Sequence, residues 1–119
     1  MYKRQASLLL DGNSDYAEMR YSSLFEIGAG AYTVECFIKT SGGTGEIVGA
    51  FNTASPHKGW LFGVGFGSGD GKLKIYNANA SNAESVSSTA VVNNNAWRHV
   101  AFSKAGQTCL LYTSPSPRD

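Results

Sequence analysis

Ala31-Tyr32-Thr33-Val34-Glu35-Cys36-Phe37-Ile38-Lys39 is the stretch that decides the fold. Tyr32, Val34, Cys36 and Ile38 occupy every second position, and Thr33, Glu35, Phe37 and Lys39 fill the gaps. A period of two places one set on each face of a β-strand, so this segment reads as a strand with one apolar, core-facing side. Similar signals recur on both sides of it. Glu46 to Phe51 and Gly59 to Phe66 read as strands, as do Lys72 to Tyr76, Val86 to Val92 and Trp97 to Phe102. In Lys72 to Tyr76, Leu73 and Ile75 face one way and Lys72, Lys74 and Tyr76 the other, wet side. Ser7 to Leu10 and Tyr16 to Met19, separated by the turn-forming Asp11-Gly12-Asn13-Ser14-Asp15, are expected to pair as a hairpin.

About eight short strands joined by Gly- and Asn-rich turns define an all-β chain, and a two-sheet antiparallel β-sandwich of the jelly-roll kind is its natural architecture. Composition agrees, with 14 Gly, 3 Pro, 42% hydrophobic and 16% charged residues in 119. The only helical candidate, Tyr21 to Ile27, is long enough for a turn or two. A chain of this length builds one domain with a real core.

Several function classes drop out. A formal net charge of +1, with no Lys/Arg cluster interleaved with aromatics, lacks the footprint of a nucleic-acid binder. No run approaches the ~20 apolar residues of a membrane span, and Leu8-Leu9-Leu10 is shorter than the ~7–15 apolar residues of a secretion signal. No membrane insertion is expected.

The two ends stand apart. Residues 109–119, from Cys109 to Asp119, resemble a translated transposase sequencing adapter, and residues 1–5 resemble the opposite strand of the same adapter. Both are expected to be adapter-derived, leaving residues 6–108 as the native domain. Excising Lys3, Arg4 and Arg118 from 10 basic residues and Asp119 from 9 acidic ones leaves 7 against 8, net −1. Cys36 is then the sole native cysteine. The domain is expected to be a fragment of a larger chain, incomplete at its C-terminal side, and Cys109 to Tyr112 to add an accidental strand after Lys104, with Ser114 to Asp119 hanging free.

Five blocks follow one another in order: Leu10-Asp11-Gly12-x-x-Asp15-Tyr16; Tyr32-Thr33-Val34-Glu35-x-Phe37-Ile38-Lys39; Gly59-Trp60-x-x-Gly63-Val64; Gly71-Lys72-Leu73; Trp97-Arg98-His99-Val100-Ala101. In this order they resemble the laminin G-like family of the concanavalin A-like lectin/glucanase jelly rolls. The resemblance implies a module of larger secreted, cell-surface or virion proteins, often binding glycans and sometimes calcium. Two functions are therefore open: a non-catalytic carbohydrate- or ligand-binding module of an extracellular or surface protein, or a structural domain of a virion, phage tail or surface layer.

Catalysis is not expected. Retaining glycoside hydrolysis needs two carboxylates ~5–5.5 Å apart, which on a strand means acids at i and i+2 or i+4. Glu35 is alone on its strand, and Glu18 and Asp15 are at odd spacing. Cys36 reads as a small core hydrophobe, and His57 and His99 lie in unrelated contexts. The Gly63-Val64-Gly65-Phe66-Gly67-Ser68-Gly69 run lacks the third glycine of a phosphate loop and has no following helix.

Asp11-x-Asn13-x-Asp15 begins like a calcium loop, but Tyr16 stands where the turn glycine is required and Ser22 where the bidentate Glu belongs. The residues specify no cofactor. Only the resemblance keeps calcium open, with no ligands assigned. A glycan or polysaccharide partner needs an aromatic platform beside amide or carboxylate groups. Tyr76 with Asn77, Asn79 and Asn82 is the candidate cluster, and Asp70 and Lys74 could add polar contacts. Trp60 and Trp97 are expected to be core anchors.

Overall fold

A computed structural model describes residues 6–20, 22–25, 30–52, 58–78, 83–105 and 108–115. Seven strands lie among them: β1 (Tyr32–Ile38), β2 (Gly45–Asn52), β3 (Lys58–Val64), β4 (Lys72–Ala78), β5 (Ala83–Val91), β6 (Arg98–Ala105) and β7 (Thr108–Pro115). They form two antiparallel sheets, one of three strands in the order β1-β6-β7 and one of four in the order β2-β3-β4-β5. The all-β sandwich expected from the sequence is the observed fold. The only described helical element is the 3-10 turn Ser23–Phe25.

Side-chain alternation builds the core as the period-two reading requires. Trp60, Phe62 and Val64 of β3 stand in register beside Asn77, Ile75 and Leu73 of β4, and across the sandwich Val100 and Phe102 of β6 close the layer. Phe62, Leu73, Val92 and Val100 are wholly buried. Tyr32, Val34, Cys36 and Ile38 of β1 pack half-buried against this cluster while Thr33, Glu35 and Phe37 face out. Burial raises the Cys36 thiol pKa, with a smaller push from the Glu35 carboxylate. That keeps it in the thiol form of an inert core group.

Three expectations are corrected. Residues 6–20 form no hairpin: the Asp11 to Asp15 turn is present, with the Asn13 N–H donating to Asp11 Oδ1 at 2.7 Å and the Asp11 N–H to Asp15 Oδ2 at 3.1 Å, but its arms do not pair. Leu8, Leu9 and Leu10 are consecutive rather than alternating, so neither face of a strand could hide all of them, and all three are exposed. Trp97 is 41% exposed and lies outside the core cluster, whereas Trp60 is 6% exposed. The difference is position. Trp60 is mid-strand on the inward parity, and its indole N–H donates to the Phe25 carbonyl at 2.8 Å. Trp97 precedes β6 and lines an open groove of about 490 Å³ with Phe37, Ile47 and Val64, between the neighbouring edges β1 and β2. Finally, β7 follows β6 as a strand but runs on to Pro115, so Ser114 is paired, opposite His99. As the last strand of its sheet, β7 tolerates a proline where a central strand would not.

Candidate functional site

The outer face of the four-stranded sheet holds the candidate site residues Lys74 and Tyr76. Lys72, Lys74 and Tyr76 of β4 point there, as do Gly59, Leu61 and Gly63 of β3, Phe51 of β2, and Ser85 and Ser87 of β5, by the same alternation that sends Leu73 and Ile75 inward.

Lys74 lies on the face expected to be wet, yet it is only 8% exposed. The segment 65–71 folds back over it. The Gly65 N–H donates to the Lys72 carbonyl at 2.8 Å, and the N–H groups of Ser68 and Gly69 donate to the Gly65 carbonyl, making a tight turn. That turn delivers Ser68 and Asp70 to the ammonium: Lys74 Nζ bonds Ser68 Oγ and lies 3.4 Å from Asp70 Oδ2. Asp70 Oδ1 also accepts from the Lys72 N–H at 3.2 Å. Desolvation pushes the Asp70 carboxyl pKa upward, but the Lys72 N–H, the Ser68 hydroxyl and the Lys74 ammonium outweigh it and hold the group below its ordinary value. A buried lysine thus has its charge answered locally. Asp70 and Lys74 are brought together with each other, and their polar groups are spent on the turn.

Tyr76 comes next along the same face. It stands beside Leu61 and Ser85, and its ring meets Phe51 edge to face, centroids 5.6 Å apart at 69°. The two aromatics come from β2 and β4, with β3 between them, and the intervening position is Gly59, opposite Phe51 and Ala78. Gly59 has φ +119°, and a Cβ there would lie 1.9 Å from the Ala50 carbonyl oxygen and 2.8 Å from the Phe51 Cα. The strand can lie this close only because the position is bare. Gly49 and Gly63 flank Leu61 in the same manner, with Gly49 opposite Leu61 on β2 and Gly63 two residues along β3.

Asn77 does not join Tyr76. Being its neighbour on a strand, it takes the opposite parity and stands inward between Trp60 and Glu84. Asn79 and Asn82, like His57, lie outside the described residues. Phe51, Leu61 and Ser85 were missed in the sequence, although Phe51 closes a strand legible there and Gly49 and Gly59 mark bare positions beside it.

Calcium does not fit the described residues. The ion takes ~6–8 oxygens, whereas the Asp11 and Asp15 carboxylates of the one loop-like motif close on their own turn. No group of three or more His, Cys, Asp or Glu converges among the described residues.

Two packed antiparallel sheets of three and four strands define a β-sandwich domain, with an aromatic pair on the outer face of the four-stranded sheet. A laminin G-type sequence profile of the concanavalin A-like lectin/glucanases superfamily matches residues 11–113, and the chain belongs to that family. Laminin G-like members are generally non-catalytic and commonly extracellular, while the superfamily also includes glucanases. No curated protein and no solved structure matches the chain significantly. No described helix is long and apolar enough to cross a membrane.

Proposed function

We propose that the chain is a non-catalytic carbohydrate-binding module of a larger extracellular or surface protein, and that it takes its ligand on the outer face of the four-stranded sheet. The observation that carries this reading is the Tyr76 and Phe51 ring pair on the outer face of that sheet. A pyranose presents a face of C–H groups, which packs on an aromatic ring. Ser85, beside Tyr76, supplies a hydroxyl within the same row.

The carboxylates support a binding role rather than a hydrolytic one. Glu46 on β2 and Glu84 on β5 occupy opposite edges of the sheet, with the strands about 14 Å apart across β3 and β4 and the residues offset further along them, and by register stand on opposite faces. Hydrolytic pairs are ~5–5.5 or ~6.5–9.5 Å apart on one cleft. Asp70 is paired with Lys74.

The test is a titration of the chain with cello-, xylo-, manno- and chitohexaose, followed by amide chemical shifts. At least one hexaose is expected to move the amides around Leu61, Tyr76 and Ser85. Tyr76→Ala should weaken that binding about tenfold, equivalent to ~1.4 kcal/mol and near the top of the range for one aromatic contact. If no hexaose moves these amides, the binding reading fails, and the structural jelly-roll role takes its place.

A further inference from the structure

The dipeptide Asp-Gly occurs twice in the sequence, at Asp11-Gly12 and at Asp70-Gly71. It is the aspartyl sequence most open to attack of the following amide nitrogen on the side-chain carbonyl carbon, because glycine has no Cβ to shield that nitrogen. Both glycines also share a left-handed backbone, with φ +81° at Gly12 and +69° at Gly71. What separates the two is their surroundings.

At Asp70 every participant is held. Oδ1 accepts from the Lys72 N–H at 3.2 Å, and Oδ2 lies 3.4 Å from Lys74 Nζ. The attacking nitrogen is tied as well: the Gly71 N–H donates to the Gly43 carbonyl at 3.1 Å, and the Gly71 carbonyl accepts from the Val92 N–H at 2.8 Å. Gly71 is buried, with the Asn93 amide filling the place of a Cβ. The attack needs the neutral acid, and the contacts that hold the Asp70 carboxyl below its ordinary pKa keep that form scarce.

At Asp11 the reacting groups are free to meet. Asp11 and Gly12 are exposed, and apart from its chain neighbours nothing lies within 4 Å of the Cβ position at Gly12. The Gly12 N–H has no hydrogen-bond partner among the described residues. The bond that the Asn13 N–H makes to Asp11 Oδ1, at 2.7 Å, closes a ring that runs through both Asp11 Cγ and the Gly12 nitrogen. It folds the side chain back toward the amide it would meet and draws electron density from Cγ.

We infer that Asp11 is a site of spontaneous conversion to isoaspartate, and that the fold protects Asp70 from the same reaction. The Gly12 nitrogen bonds to Asp11 Cγ while its proton and the carboxyl hydroxyl leave as water, which closes a five-membered succinimide. Water then adds back. Opening at Cγ restores aspartate. Opening at the main-chain carbonyl carbon leaves isoaspartate, with the chain routed through Cβ and Cγ and the former main-chain carbonyl as the free carboxylate. The net change lengthens the backbone by one methylene without altering the mass. The group that accepted from Asn13 becomes a backbone amide, so residues 6–10, which line the groove with Phe37 and Trp97, enter the turn on a new path.

The experiment incubates the folded full chain for several weeks at neutral pH and body temperature, with a guanidinium-unfolded sample beside it, and digests both with trypsin. Residues 5–20 and 59–72 are then separate peptides, one for each dipeptide. Isoaspartate is read by enzymatic methylation and by fragmentation that assigns the residue, and deamidation of Asn13 is set apart by its change in mass. In the folded chain, isoaspartate should accumulate at residue 11 at least tenfold faster than at residue 70. On unfolding, the rate at residue 70 should rise to within about twofold of that at residue 11, because only opening of the 65–71 turn releases it. Asp11→Glu, which would have to close a larger ring, should remove the signal from the first peptide. The inference is overturned if the folded chain forms no isoaspartate at residue 11, if residue 70 reacts as fast as residue 11 in the folded chain, or if unfolding leaves residue 70 as slow as before. Survival of the signal in Asp11→Glu would overturn it too.

Discussion

Replacing Gly59 by alanine is a sharp perturbation of the aromatic face, because two separate costs act there and each has its own control. Gly59 has φ +119°, a conformation that costs an L-residue roughly 1–3 kcal/mol. Its added Cβ would also sit 1.9 Å from the Ala50 carbonyl oxygen, a backbone atom that cannot rotate away. Gly67 has φ +80° with nothing within 4 Å, and Gly45 has neither constraint. Gly45→Ala should therefore be neutral or stabilise by ~0.4–1 kcal/mol through the unfolded chain. Gly67→Ala should cost ~1–2 kcal/mol, and Gly59→Ala more than ~3 kcal/mol. Against a total of ~5–15 kcal/mol, the last is a large fraction. Urea unfolding reads the series: with a slope of ~1–3 kcal/mol per M, Gly59→Ala should lower the midpoint by more than ~1 M at an unchanged slope. Midpoints for Gly59→Ala and Gly67→Ala that coincide would show that β2 yields to the new methyl group, and the argument that the bare position is what lets β2 and β3 lie so close would fall.

Trp60→Ala should cost ~3–5 kcal/mol, since it empties the core and strands the Phe25 carbonyl. Trp97→Ala should stay within ~1 kcal/mol, and equal losses in calorimetry would contradict their different burial. The Tyr32 hydroxyl is buried without a hydrogen-bond partner among the described residues. Desolvation first, then the Cys109 thiol and the Glu84 carboxylate, push it up to about 12. A raised folded pKa gives stability that is intact below the unfolded value of ~10 and lost as pH rises toward 12. The difference between wild type and Tyr32→Phe should be flat below pH 10 and swing in favour of phenylalanine above it, and a flat curve to pH 12 would refute the burial. Asp70 has the opposite sign. Its lowered pKa stabilises the fold above ~3.9 and ceases to do so as pH falls through the folded value. Wild type should thus exceed Asp70→Asn in denaturation midpoint at pH 6, with the gap closing near pH 2, whereas a gap that persisted there would assign it to something other than charge.

Strand positions were legible wherever alternation was clean. Tyr32 to Ile38 is the best case, because every inward residue is apolar and its neighbours tolerate water, and the observed burial repeats that alternation without a fault. The site was legible only in part. Tyr76 does face outward, but Asn77 beside it was grouped with it by sequence proximity, when adjacency along a strand means opposite faces. Lys74 shows another limit: parity placed it outward, and it is outward, yet the turn at 65–71 covers it, and a loop's path over a sheet leaves no period to read. Phe51 reaches Tyr76 through a pairing across β3 that no local pattern announces. Trp97 was misplaced because strand signals nearby do not tell whether a residue lies within the strand or just before it.

The order β1-β6-β7 also has a consequence for how the chain acquires its shape. The strands β2 to β5 are a meander whose partners follow one another closely and can assemble as they appear. β1 must wait, since Glu35 and His99 are 64 residues apart, and at ~5–20 residues per second of synthesis the delay is roughly 3–13 s. Through that interval Val34, Cys36 and Ile38 have no sheet to join, and the unpaired strand is open to association with other chains. Long-range pairing of this kind also slows refolding from denaturant relative to the meander. The rate-limiting event of folding should then be the capture of β1 by β6, and substitutions on those two strands should slow folding more than equally destabilising ones in β4 or β5.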